Sequence, residues 1–103
     1  MKTIMVVDDE INILEEIKKN LETDEFQVIT TDNRRKALAI IDSDKEDKIS
    51  LILVDTKMPG SGKPALFLMK TRSKMDIDTS REEDFLQKPF TKTQLIDFIK
   101  KKI

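Results

Sequence analysis

The chain contains no cysteine and no histidine. The first absence excludes disulfides and thiolate chemistry. The second removes imidazole as metal ligand, general base or phosphorylated group, so neither cysteine-based nor serine-histidine nucleophilic catalysis is available. Any metal must be held by oxygen, which points to a hard cation such as magnesium. An excess of one charge is also missing. The 19 basic residues face 20 acidic ones, for a net charge of -1, and there is no cationic field of the kind that phosphate-backbone binding uses. No apolar run approaches the roughly 18 to 20 residues of a membrane span. The amino terminus enters "KTIMVVDD" without a signal-peptide layout. These absences lead to the expectation of a cytoplasmic protein with neither nucleic acid nor membrane as a partner.

What remains suits one small globule. The 103 residues, 38% hydrophobic and 38% charged, make a single domain over residues 1–103, with a modest core under a charged surface. No repeat, linker or second domain stands out. "TIMVV" is a continuous β-branched-rich run, as expected of an interior parallel strand. "DDEINILEEIKKNLETDE" follows, with Ile11, Leu14, Ile17 and Leu21 at helical spacing. "FQVIT" predicts a second strand, "NRRKALAIID" a helix with Ala37, Leu38 and Ile41 on one face, and "SLILV" a third strand. "ALFLM" is a candidate fourth strand and "DFLQ" a short last one. In the final helix Thr91 and Gln94 have the spacing of a capping box, and Phe90 and Leu95 that of a hydrophobic staple. Leu95, Ile96, Ile99 and Ile103 supply its apolar side, and Lys100, Lys101 and Lys102 suit its C-terminal dipole end. Strands alternating with helices predict an α/β fold built on a doubly wound parallel sheet.

Ligands of such sheets bind beyond the carboxyl ends of the strands. Asp8 and Asp9 follow the first strand, Asp55 follows "LILV" and Lys88 follows the last strand, so neighbouring inner strands would bring all four to one edge. Crowded carboxylates repel one another, and a divalent cation together with the Lys88 ammonium would compensate that charge. Asp55 shielded in this way could attack a phosphoryl group in line. Each residue also has a plainer reading. Asp8 and Asp9 could cap the first helix, Asp55 could be a turn residue, and Lys88 could be a surface lysine before a proline.

"VVDDE", "LVDTKMPG" and "FLQKPF", in that order, resemble the receiver domain of two-component response regulators, and the resemblance covers nearly the whole chain. It implies a flavodoxin-like fold with strand order 2-1-3-4-5. Asp55 would be the phosphoacceptor and Lys88 the phosphoryl contact. Magnesium would be held by Asp9, Asp55 and the backbone carbonyl of Lys57, with Asp8 acting mainly through water. Phe85 falls at the switch aromatic, Met58 and Pro59 at the turn after the phosphoacceptor, and the Lys88-Pro89 bond would be cis. A sensor histidine kinase or phosphotransfer protein would donate the phosphoryl group and a downstream protein would read it. The chain would take part in its own phosphoryl transfer, with autodephosphorylation as an accompanying reaction, and would not turn over small substrates. No output domain is legible, so the expectation is a stand-alone receiver. The runner-up is a degenerate receiver that binds partners without phosphorylation. A phosphatase or dehalogenase with an aspartate nucleophile fits less well, because it would want a second aspartate at position 57.

Two departures from the family stand out. The family places a hydroxyl residue at the end of the fourth strand. If "ALFLM" is that strand the matching residue is Met69, and Thr71 could substitute only across a bulge. The second departure is that the stretch from Asp55 to Lys88 is short by roughly a helix and its loop. Either residues 65–69 form the fourth strand and the third helix is lost, or "PALFLMKTRSK" is that helix, "MDIDTS" the strand with Thr79 or Ser80 as the hydroxyl, and the fourth helix is lost. The first reading is preferred, because five successive apolar residues suit a strand. Nine residues are few for a right-handed parallel crossover. One sheet face then loses cover, which invites a nonstandard crossover, a strand exchanged between chains or a homodimer.

Overall fold

The computed structural model describes residues 2–46, 48–70 and 84–103, Lys70 by its backbone. In chain order the elements are β1 (Thr3–Val7), α1 (Ile11–Glu22), β2 (Gln27–Thr31), α2 (Arg34–Ser43), β3 (Ile49–Lys57), β4 (Pro64–Lys70), β5 (Phe85–Gln87) and α3 (Lys92–Lys100). They build one five-stranded sheet of order β2-β1-β3-β4-β5, the order that the motifs imply. Residues 65–69 lie in a strand, so the helical reading of "PALFLM" is excluded.

The direction of that strand corrects the expectation of a wholly parallel sheet. β1 runs parallel to β2 and β3, whereas β4 is antiparallel to both β3 and β5. The sheet is therefore mixed. The cause is the length of the connection. Lys57 is paired with Pro64, leaving only residues 58–63 between the two strands, and a hairpin needs no more than that, while a parallel crossover needs a dozen residues or more. No third helix stands between β3 and β4, and none is needed to join them. The chain makes the crossover problem disappear by turning back.

Local chemistry sets the other boundaries. Asn33 caps α2 by accepting from the Lys36 N–H at 2.8 Å. The capping box of α3 forms as its spacing predicts: the Thr91 hydroxyl accepts from the Gln94 N–H at 3.1 Å, and the Gln94 side chain accepts from the Thr91 N–H at 2.8 Å.

Side chains alternate across the sheet and divide the core in two. On one face Ile4, Val6, Leu51, Leu53, Leu66 and Leu68 pack with Leu14, Ile17 and Leu21 of α1 and with Leu95, Ile96 and Ile99 of α3; Phe90 joins this cluster as the staple requires. On the other face Met5, Val7, Ile49 and Ile52 pack with Ala37 of α2. Beside α2, Leu38, Ile41, Ile52, Val54, Phe67 and Met69 line an apolar groove of about 330 Å³, which is the thin cover expected on one face.

Three apolar residues assigned to buried helix faces lie outside. Ile11 is 63% exposed, Leu38 61% and Ile103 45%. Ile11 opens α1 at the sheet's edge, and Ile103 follows the end of α3. In α2 the stripe that meets the sheet is Ala37, Ile40 and Ile41, which turns Leu38 about 100° away from it.

Candidate functional site

β1 and β3 are neighbours and run parallel, with Val7 beside Val54. The residues that follow, Asp8 and Asp55, therefore leave the same edge of the sheet. β5 points the same way through the reversed β4, and it delivers Lys88 to that edge as well. Lys88 closes the group: its Nζ donates to Asp8 Oδ2 at 2.9 Å and to Asp55 Oδ1 at 2.7 Å. The Asp8 side chain is completely buried, Lys88 is 13% exposed and Asp55 31% exposed. Both oxygens of Asp8 are engaged, because Oδ1 also accepts the Glu10 N–H at 2.9 Å. Asp8 thus takes the place of a cap at the start of α1, whose N-cap residue Glu10 makes no side-chain cap bond.

Burial, the largest single influence on Lys88, pulls its pKa down. The hydrogen bonds to Asp55 and Asp8 and the charges of both carboxylates outweigh it, so the pKa lies above its ordinary value of 10.5. A cation whose folded pKa is raised stabilises the fold fully below its unfolded pKa, and that contribution is lost as pH rises through the folded value. The unfolding temperature, followed by circular dichroism, is therefore expected to fall above about pH 10.5, and to fall less steeply in Lys88→Met. Equal slopes would contradict the ion-pair assignment.

Asp9 and Glu10 are exposed, and one carboxylate oxygen from each lies within 4.8 Å of an oxygen of Asp8. Glu10 was not singled out in the sequence, although it completes the "VVDDE" run. These donors fit a hard cation, being all oxygen. A second observation agrees: Asp8 and Asp55 already share one positive charge. Lys57 ends β3 opposite Pro64. Antiparallel partners alternate between facing and averted backbone groups, and the Met58 N–H donates to the Lys63 carbonyl at 2.7 Å. The pair Lys57 and Pro64 is then averted, which turns the Pro64 carbonyl away from β3 and toward β5. There the Pro64 carbonyl accepts the Lys88 N–H at 2.8 Å, a contact that sequence reasoning missed. Its signal was a proline at a strand start, which has no N–H to spend on the sheet.

The Lys88-Pro89 bond is cis. Phe85 is half-buried on the opposite sheet face from Asp55, its ring centroid 4.9 Å from that of Phe67. Thr71, Thr79 and Ser80 lie outside the described residues. Met69 pairs with Ile52 in mid-sheet, away from the carboxyl edge, so it does not occupy the position at which a hydroxyl was sought. The reversed strand brings Leu66 beside Asp55 instead.

The family profile described as "Response regulator receiver domain" matches residues 4–79. The chain is 30% identical over 118 aligned positions to the phosphate regulon transcriptional regulatory protein PhoB of Pseudomonas aeruginosa, covering 96% of the chain and 50% of that protein. It is 29% identical over 112 positions to the transcriptional regulatory protein CpxR of Escherichia coli, covering 93% and 47%. The chain spans about half the length of these curated relatives. Both alignments are longer than its 103 residues, so the relatives carry residues with no counterpart here. No solved structure matches the chain significantly. Among the described residues no helix is long and apolar enough to cross a membrane.

Proposed function

Because the chain belongs to the receiver domain family of response regulators, a family of signalling modules, we propose that Asp55 is its phosphoacceptor and that a histidine kinase or phosphotransfer protein supplies the phosphoryl group. The observation that carries this reading is the single ammonium of Lys88 held between Asp8 and Asp55. The Asp55 carboxylate is part-exposed, as a nucleophile must be to meet an incoming donor. Lys88 is positioned to follow the charge that develops on the phosphoryl oxygens, and its raised pKa keeps it cationic at neutral pH. Asp8, buried and bonded through both oxygens, is the fixed member that orients Lys88.

Magnesium, when bound by Asp9, Asp55 and the Lys57 carbonyl with Asp8 behind them, would shield Asp55 and the transferring group. The part of this chain is to present those oxygens at one edge. Asp9→Ala is expected to weaken the rise in unfolding temperature that millimolar magnesium brings to the wild-type protein, by mass action, and an undiminished rise would remove Asp9 from the ligand set.

Incubation with magnesium and acetyl phosphate, followed by intact-mass measurement, tests the function. One phosphoryl adduct that disappears with a chelator is expected. One observation favours the other reading, a receiver that binds its partner without phosphorylation: Leu66, an apolar residue, is the β4 neighbour of Asp55. Absence of an adduct would select that reading.

A further inference from the structure

The reversal of β4 gives Lys88 a backbone anchor. Its N–H donates to the carbonyl of Pro64, the first residue of β4, at 2.8 Å. The place of Pro64 is set in turn by residues 58–63. That turn is closed by the Met58 N–H to the Lys63 carbonyl at 2.7 Å and by the Gly62 N–H to the Met58 carbonyl at 3.1 Å. It needs two left-handed residues, Gly60 at φ +85° and Gly62 at φ +71°, where any residue with a Cβ is strained. A Cβ at either glycine would meet nothing within 4 Å. The requirement is one of backbone conformation alone.

We propose that the β3–β4 turn, through Gly60 and Gly62, is a positioning element for Lys88: it sets the Pro64 carbonyl, the carbonyl holds the Lys88 backbone, and the ammonium is thereby seated on Asp55. The consequence for phosphoryl uptake rests on reading Asp55 as the phosphoacceptor; the positioning itself does not.

Amide hydrogen exchange separates the two. The Lys88 N–H reports the anchor, and the Asp8 N–H, which donates to the Thr31 carbonyl at 3.2 Å, reports the other side of the same site. In Gly62→Val the Lys88 amide is expected to exchange about tenfold faster relative to the Asp8 amide. Phosphorylation by acetyl phosphate at saturating magnesium is expected to slow by about tenfold to a hundredfold. Gly62→Asn, which tolerates positive φ better, falls between and covers the case in which the valine variant does not fold. Glu25 supplies the control: it is an exposed residue with φ +68° in the α1–β2 turn. Glu25→Val imposes the same kind of strain far from the site, and it is expected to leave the ratio of the two amides unchanged. An unchanged ratio in Gly62→Val, or an equal change in Glu25→Val, would overturn the proposal. A wild-type protein that takes up no phosphoryl group would defeat the phosphoacceptor reading and leave the amide ratio to decide the positioning.

Discussion

Asp55→Asn is expected to abolish the phosphoryl adduct while leaving the fold in place. The amide is close to the carboxylate in shape and can still accept from Lys88, but it lacks the negative charge and lone-pair availability that in-line attack requires. Among the described residues there is no second acceptor of equal standing. Asp8 is fully buried with both oxygens engaged, and Asp9 and Glu10 are exposed at the start of α1, while the Lys88 ammonium is bonded to Asp8 and Asp55. Intact mass after treatment with acetyl phosphate and magnesium measures the outcome. An adduct of undiminished yield in Asp55→Asn would place the phosphoryl group elsewhere and dismantle the site as described.

Lys88→Met is expected to have the largest effect on stability. The thioether fills much of the same space but leaves the buried Asp8 Oδ2 without the ammonium from which it accepts. Breaking a buried pair by removing one member costs about 3–5 kcal/mol. Asp55, the other partner, is 31% exposed and can recover water, so the lower end applies, about 3 kcal/mol. In a chain of 103 residues that loss lowers the unfolding temperature by more than about 10 °C. Magnesium should restore more stability to this variant than it adds to the wild type, because the variant's carboxylates have no internal cation to displace. Phosphoryl uptake should slow by about a hundredfold or more, the usual cost of deleting one charge-stabilising donor. Calorimetry with and without magnesium gives the first two results and the rate of adduct formation the third. A melting temperature within a degree of wild type would show that the Lys88 ion pairs contribute nothing to the fold.

Much of this was legible from the sequence. The capping box of α3 follows from local chemistry, the edge that collects Asp8, Asp55 and Lys88 from carboxylates and a lysine placed just after strands, and the strand order from the family resemblance alone. The direction of β4 did not, because "ALFLM" is apolar whichever way it runs and the family resemblance implied a parallel strand. The contrary signal was nearby, since "MPGSGK" carries two glycines in a stretch too short for a crossover. Because β4 runs the other way, its beginning at Pro64 lies at the site, and Met69 near its end does not. Ile11, Leu38 and Ile103 show another limit of pattern reading: a helical stripe identifies an apolar face, but which of its members meet the sheet depends on where the helix is seated.

The turn back into β4 also bears on how the sheet assembles. β3 and β4 share seven paired positions across a connection of residues 58–63, whereas β1 must find β3 across the whole of α1, β2 and α2. Closing a short loop restricts the chain far less than closing a long one, and hairpins form in about 1–10 μs. Loop-closure entropy thus favours β3 and β4 as the first strands to pair, with β1 and β2 added to a ribbon already formed. A helix-linked parallel strand at this position would have needed a connection of a dozen residues or more, with a correspondingly higher closure cost.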